Sequence, residues 1–193
     1  MGISMGGMIA QKVAGSLAPE RVSALILGCT TSGGSRENPP LYPPPDLSFF
    51  STFDKFRNDG SEKDREIAEV FLSKVLGQKF LEKGHGKVML NRLIDRFIES
   101  RREYGKNGGG ESIIRQLPAV SRWDGTDALQ SVKAPTLIIH GFDDEIIPSE
   151  NAAVMEKLLS KNTNVQTQTF DACHFFFISE ALKTSVAINN FLE

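Results

Sequence analysis

Ser4, a group of acids at 143–145 and His174 have the side chains that nucleophilic catalysis requires. Ser4 is the middle residue of Gly-Ile-Ser-Met-Gly at positions 2–6, which matches the Gly-x-Ser-x-Gly pattern of a sharp turn between a strand and a helix. A serine hydroxyl is a weak nucleophile until a base removes its proton, and the base needs an acid that orients it. The residue types therefore predict a nucleophilic serine that is served by a histidine base and a carboxylate.

Both the acid and the base have rivals in the sequence. The three acids at 143–145 occupy one turn, and their residue types alone leave the choice between them open. His140 lies at the end of a predicted strand, where a packed and hydrogen-bonded structural role is the simpler interpretation. His85 lies between glycines and lysines and is most simply a solvated loop residue. His174 is the one histidine that follows both the serine and the acids in the chain.

The elements around these residues predict an α/β fold with a parallel sheet of about three strands. The segment that follows Ser4 is helical, with small residues at its start. Residues 21–28 and 134–141 are nearly continuous apolar runs, which is typical of strands that are buried on both faces. Residues 165–170 alternate between apolar and polar types like an exposed edge strand. Helices are expected at 149–160 and 179–192.

The middle of the chain differs in composition from both ends. Residues 30–46 contain five prolines and two adjacent glycines, which is typical of a stiff loop or linker. From about residue 47 to 124, apolar residues recur at helical spacing and no strand-like segment interrupts them. We therefore expect a helical insertion between two strands of the sheet. The predicted domains are a core at 1–39 and 126–193 and a helical cap at 40–125.

Four segments in a fixed order carry a resemblance to a known family. They are Gly2–Gly7, Pro135–Gly141, Asp144 with Pro148, and Cys173–Phe175. Together they resemble the C-terminal half of the α/β-hydrolase fold, and most closely its capped esterase and lactonase branch, with the cap as the insertion. The family orders its triad as serine, acid and histidine, and its acid lies three residues after the glycine that ends a strand. The resemblance therefore implies that Ser4 is the nucleophile, Asp144 the acid, His174 the base and the Met5 N–H an oxyanion donor.

The same resemblance implies a reaction class. We expect a serine hydrolase that needs no cofactor and acts on a small carboxylic ester or lactone. Carbon–carbon bond hydrolysis and acyl transfer on the same triad are the alternatives within the fold. Dehalogenase and epoxide-hydrolase relatives use an acid where this chain has Ser4, so their chemistry is disfavoured. The substrate itself depends on the cap, whose sequence does not identify a ligand.

Four phenylalanines are the candidates for substrate binding. Phe49, Phe50 and Phe53 open the predicted cap, and Phe175 follows the predicted base. Apolar and aromatic side chains commonly line ligand pockets, so these residues could line an acyl site. Core packing is the simpler interpretation for all four of them.

Composition and charge exclude several classes of function. The net charge of −2 and the absence of a basic stripe argue against nucleic acid and anionic membranes as partners. No apolar run approaches the roughly 18 residues that span a bilayer, and no secretory signal is visible, so we expect a cytoplasmic location. The sequence shows no dinucleotide or phosphate-loop motif and no metal-ligand spacing, so we expect no cofactor and no metal. Cys29 and Cys173 are expected to be free thiols, with a bond between them as the alternative.

The Gly-x-Ser-x-Gly turn lies at the very start of the chain, which leads to an expectation about the strands that normally precede it. The resemblance implies that the first five strands of the fold precede this turn, so we expect them to be absent here. Residues 22–27 would then form an exposed apolar sheet edge that favours self-association, and Ser4 would lie on a frayed terminus. We therefore expect little activity from this chain alone, as either a fragment of a longer hydrolase or a short product that serves as a binding protein.

Overall fold

The computed structural model describes residues 1–34, 55–56, 59–106, 112–159 and 164–193. The chain divides into two compact units. Unit 1 comprises Met1–Pro45 and Arg122–Glu193, and unit 2 comprises Asp46–Ser121. The described part of unit 1 holds the sheet, and the described part of unit 2 is helical.

Unit 1 contains a sheet of four strands within the described residues. All neighbouring strands are parallel, in the order β1-β2-β3-β4. The predicted α/β class with a parallel sheet is therefore confirmed, and β4 is an edge strand with four consecutive exposed residues, as its alternation indicated. The strands are β1 Gly2–Ile3, β2 Leu25–Gly28, β3 Thr136–Gly141 and β4 Val165–Phe170.

The other edge of the sheet differs from the expectation. The segment at 22–27 was expected to be an exposed edge, yet β2 lies between β1 and β3 and all four of its residues are buried. β1 is extended and pairs with Leu27 and Gly28, so the strand that leads into the turn is present over two residues. The prediction of an exposed β2 is therefore wrong, because the residues before Ser4 already pair with it. Self-association through a sheet edge stays a prediction.

Apolar residues cover both faces of the sheet. Leu25, Leu27 and Ile138 belong to one buried cluster. Ile26 and Ile139 belong to a second buried cluster. Because successive side chains of a strand point to opposite faces, neighbouring residues of β2 and β3 alternate between the two clusters. This burial on both faces explains why these two strands are continuous apolar runs.

The helices follow the predicted order and differ from the predictions at their ends. The first helix begins directly after Ser4 and is continued by a π-helical turn, Val13–Leu17. The C-terminal helix predicted at 179–192 is present and begins at Ala181, because the backbone of Glu180 leaves the helical region with φ −126° and ψ 41°. A short helix that was not predicted precedes it. The helices are α1 Met5–Lys12, α2 Glu62–Leu76, α3 Gln78–Leu81, α4 Gly86–Lys106, α5 Ser112–Ser121, α6 Thr126–Ser131, α7 Glu150–Leu159, α8 Phe176–Ser179 and α9 Ala181–Leu192.

In unit 2, α2 packs against α4, and the start of α2 is held by a buried acid. Ser61 Oγ accepts the N–H of Asp64 at 3.4 Å, as an N-cap does. The buried Asp64 carboxylate accepts the N–H groups of Asp59 and Gly60, each at 3.1 Å. Among the described residues, no helix has both the length and the apolar character that a membrane span requires.

Candidate active site

Ser4 is held at a sharp turn between β1 and α1. Its backbone has φ 54° and ψ −125°, a left-handed φ that few residues other than glycine adopt. The Ser4 N–H donates to the Gly28 carbonyl at 2.9 Å, and the Thr30 hydroxyl donates to the Ser4 carbonyl at 2.7 Å. The Gly7 N–H also donates to the Ser4 carbonyl, at 2.8 Å. These contacts fix the backbone of Ser4, which differs from the frayed terminus that the sequence led us to expect.

His174 lies between the serine and an acid. His174 Nε2 is 3.0 Å from Ser4 Oγ, and His174 Nδ1 is 2.8 Å from Asp144 Oδ2. Both Asp144 and His174 are buried, with 5% and 4% of their surfaces exposed. The structure therefore brings together the three residues that the sequence proposed for a triad, across separations of 170 and 30 positions.

The hydrogen bonds define where the protons lie. An ionised carboxylate only accepts, so Nδ1 of His174 carries the proton toward Asp144. The unprotonated Nε2 of a neutral imidazole is then the acceptor, and Ser4 donates its hydroxyl proton to it. This is the tautomer in which a histidine can remove the serine proton.

The surroundings of Asp144 keep its carboxylate ionised. Burial raises the pKa of Asp144, but hydrogen bonds from His140 and His174 and the charges of these rings outweigh burial and lower the pKa from 3.8 to about 2. Asp144 Oδ1 also accepts the N–H groups of Ile146 and Ile147 at 2.9 and 3.0 Å. Because Asp144 stays charged, it can orient the His174 ring and favour the imidazolium.

None of the rival acids and histidines takes the place of Asp144 or His174 in this hydrogen-bond chain. Glu145 is exposed and Asp143 is half-buried, whereas the carboxylate of Asp144 faces His174. His85 belongs to unit 2, where its ring packs edge-on against Phe80 at 5.4 Å between centroids. His140 is fully buried beside Asp144, 3.3 Å from its Oδ2, as the predicted packed and hydrogen-bonded histidine.

Of the remaining predicted site residues, the structure describes Met5 and Phe175. Met5 is the first residue of α1, so its N–H has no acceptor within that helix and lies next to Ser4. Phe175 is half-buried and stacks on the His174 ring at 6.1 Å between centroids. Phe49, Phe50 and Phe53 lie outside the described residues. The substrate-binding role of the four phenylalanines stays a prediction.

Cys29 is a residue of this site that the sequence reasoning did not find. It follows β2 directly, is fully buried and has a left-handed φ of 36°. Burial raises the pKa of its thiol well above 9.0, and the negative charge of Asp144 adds to that effect, while a hydrogen bond with the Ser4 backbone opposes it. Its position directly after a predicted parallel strand could have indicated that it lies near the site, because such sites form at the carboxyl ends of these strands.

Cys29, Asp144 and His174 also have the donor atoms of a metal site. One ligand atom from each residue lies within 4.8 Å of the others. No spacing in the sequence indicates this group, because the three residues come from three different loops. Two of the three side chains are already joined by the hydrogen bond between His174 Nδ1 and Asp144 Oδ2. Both cysteines are free thiols in the structure, so the alternative of a Cys29–Cys173 bond is not adopted.

A sequence profile described as the alpha/beta hydrolase fold matches residues 1–181, which is nearly the whole chain. The chain belongs to the alpha/beta hydrolase fold family. The family assignment agrees with the parallel sheet and with the serine on a turn between β1 and α1. The resemblance of the sequence motifs to the α/β-hydrolase fold is thus confirmed.

Known members of the family match this chain to different extents. A non-heme haloperoxidase of Rhodococcus erythropolis is 37% identical over 62 residues, which are 32% of this chain and 23% of that protein. A poly(3-hydroxyalkanoate) depolymerase of Ectopseudomonas oleovorans is 26% identical over 204 residues, with 100% of this chain and 60% of that protein covered. The crystal structure of an enol-lactonase from Burkholderia xenovorans LB400 superposes with a TM-score of 0.70 at 20% identity, with 99% of this chain and 64% of that chain covered. In each case the chain spans less than two thirds of the relative's length.

Proposed function

We propose that this chain carries the catalytic triad of a serine hydrolase that acts on a carboxylic ester or a lactone. The observation that carries the proposal is the continuous hydrogen-bond chain from Ser4 Oγ through His174 to Asp144, with distances of 3.0 and 2.8 Å. A nucleophile, a base and an orienting acid within hydrogen-bond reach are the requirement for acyl transfer. The depolymerase and lactonase relatives support an ester or lactone as the substrate class.

In the proposed reaction, Ser4 Oγ attacks the carbonyl carbon of the substrate while its proton passes to His174 Nε2. The tetrahedral intermediate collapses as the carbon–oxygen bond to the leaving alcohol breaks, and His174 returns the proton to that alcohol. Water then attacks the acyl group on Ser4, again through His174, and releases the carboxylic acid and the free serine. Asp144 stabilises the imidazolium of His174 in both steps.

The Met5 N–H is the donor that we assign to the oxyanion. In this fold the residue after the nucleophile donates its backbone N–H to the oxygen that becomes negative. Met5 lies at the N-terminus of α1, where unpaired N–H groups and the helix dipole favour negative charge. Loss of one oxyanion donor costs on the order of 10²–10³ in rate in a serine protease, so this group is a substantial part of the proposed catalysis.

The experiment that tests the proposal is covalent labelling of Ser4 by a fluorophosphonate, measured together with turnover of p-nitrophenyl acetate. We expect Ser4→Ala to lose the label and to lower turnover by a factor of about 10³ or more, because the nucleophile is gone. Ser121→Ala is the matched control, since Ser121 lies in unit 2 and its hydroxyl donates to the Pro118 carbonyl. Unchanged labelling or turnover in folded Ser4→Ala would contradict the assignment.

A further inference from the structure

His140 is a fully buried histidine that the proposed reaction does not use. It is the next-to-last residue of β3, and none of its surface is exposed. Its Nε2 is 2.8 Å from the Ile147 carbonyl oxygen and 3.3 Å from Asp144 Oδ2. Its Nδ1 has no hydrogen-bond partner in the described part of the chain.

These contacts define the proton on the ring. A carbonyl oxygen only accepts, so Nε2 of His140 must carry a hydrogen that it donates to Ile147. Asp144 Oδ2 lies 3.3 Å from the same nitrogen, within the range of an electrostatic contact. His140 therefore donates its N–H to the Ile147 carbonyl and lies beside the Asp144 carboxylate.

Packing alone does not explain a histidine at this position. An unpaired nitrogen in a fully buried place destabilises the folded state, and an apolar side chain of similar size would avoid that penalty. In this structure Nδ1 of His140 has no partner among the described residues, whereas Nε2 donates to the Ile147 carbonyl. The Nε2–H of His140 therefore indicates a role beyond packing.

His140 contacts the turn at residues 144–147, and this turn contains Asp144, the acid of the proposed triad. The Ile147 carbonyl accepts from His140, and the Ile147 N–H donates to Asp144 Oδ1. Ile146 donates to the same oxygen, while His174 and His140 face Oδ2. The turn therefore holds Oδ1 of Asp144, while His174 and His140 lie at Oδ2 from outside the turn. The contact to His140 ties that turn back to β3.

We propose that His140 is a positioning residue, which holds the Asp144 carboxylate toward His174 by donating its Nε2–H to the Ile147 carbonyl and lying beside Asp144. The inference rests on the proposed function, since it gives His140 a part in that reaction. His140 does not touch the reacting atoms. It acts through Asp144, and a displacement of catalytic groups by about 1 Å can cost on the order of 10² in rate.

The test compares three substitutions of His140 in the whole chain. His140→Leu removes the donor, His140→Gln offers an amide N–H at the reach of Nε2, and His140→Asn has an amide that is too short to reach Ile147. We expect kcat for p-nitrophenyl acetate and the rate of fluorophosphonate labelling to fall about 10- to 100-fold in His140→Leu and His140→Asn, with KM within about twofold. His140→Gln is expected to recover most of both rates.

A double-mutant cycle shows whether the effect passes through the acid. We expect His140→Leu to lower the labelling rate by less than about twofold when Asp144→Asn is already present, because residues that act as a unit are not additive. Circular dichroism confirms that the variants are folded. If His140→Leu does not fold, the pair His140→Gln and His140→Asn carries the same comparison with two amides.

The outcomes separate this inference from the proposed function. If the wild-type chain is not labelled at Ser4, the proposed function fails, and the role of His140 fails with it. If the wild type is labelled and His140→Leu and His140→Asn are labelled equally fast, only the role of His140 is overturned. An effect that adds fully to Asp144→Asn, or that appears in KM alone, would overturn it as well.

Discussion

At the scale of single residues, Asp144 is the side chain whose charge the fold controls most closely. Burial opposes its ionisation, yet hydrogen bonds from His140 and His174 lower its pKa to about 2. The carboxylate is therefore charged throughout the range in which a histidine base works. The same shift connects the site to stability, because the pKa in the folded protein is lower than the 3.8 of the free side chain.

The pH dependence of stability tests this charge directly. A lowered pKa stabilises the folded state above about pH 3.8, and that contribution is lost as the pH falls toward 2. We expect the difference in free energy of unfolding between wild type and Asp144→Asn to shrink by about 2 kcal/mol between pH 5 and pH 2. Urea unfolding curves at several pH values measure it. The control is Glu145→Gln, an exposed carboxyl of the same turn, and an identical trend in both variants would contradict the prediction.

At the scale of elements, the turn at Ser4 depends on how closely α1 approaches the segment that follows β2. A Cβ added to Gly7 would lie 2.6 Å from the Thr30 side chain, which is buried and donates to the Ser4 carbonyl. A Cβ added to Gly6, in the preceding position of the same helix, meets nothing within 4 Å. A methyl side chain would therefore fit at Gly6 but would overlap with Thr30 at Gly7.

The stabilities of two alanine variants test this close approach. We expect Gly7→Ala to lower the free energy of unfolding by about 1–3 kcal/mol, because Thr30 must move in a packed region. Gly6→Ala is the matched control, and we expect it to be neutral or to stabilise α1 by up to about 1 kcal/mol, since alanine favours a helix over glycine. Thermal and urea unfolding measure both. Equal effects of the two substitutions would contradict the account of the contact.

At the scale of the whole molecule, the hydrogen-bond chain of the proposed triad lies within unit 1. Ser4, Asp144 and His174 all belong to it, although its two segments are separated by Asp46–Ser121 in the chain. Within unit 1, Gly33 forms an antiparallel bridge with Asp124, and the Gly125 N–H donates to the Ser32 carbonyl. The two chain segments thus meet where unit 2 is inserted.

Removal of unit 2 is the corresponding experiment. We expect a variant in which a short glycine–serine linker joins Gly34 to Arg122 to remain folded, because the ends to be joined are already close and a short flexible loop adds little closure entropy. Fluorophosphonate labelling of Ser4 should stay within about tenfold of the full chain, since the triad hydrogen bonds lie in unit 1. The labelled fraction over time measures it, with Ser4→Ala in the same background as control. A folded variant without label would show that the nucleophile depends on unit 2.

Much of the fold and of the candidate site was predictable from local sequence. β2 and β3 were visible as apolar runs because they are buried on both faces, and β4 was visible as a more polar strand because it lies at an edge, where four of its residues are exposed. His174 and the acids at 143–145 were found because they closely follow two of these strands, whereas the choice of Asp144 among the acids came from the resemblance to the family. The ends of the helices were less accurate, as the break at Glu180 shows, since no local signal marks it.

The sequence by itself determined which residue types follow which strands, and therefore the order of the serine, the acid and the histidine. Parallel strands place their carboxyl ends at one edge of a sheet, so that order is sufficient to predict that these residues meet. Only the tertiary structure decided that β1 covers β2, that Cys29 is buried beside the triad, and that His140 donates its N–H to the turn of Asp144. These features depend on contacts between segments far apart in the chain. The sequence shows at most that Cys29 follows a strand, and it does not show which side chains these residues meet.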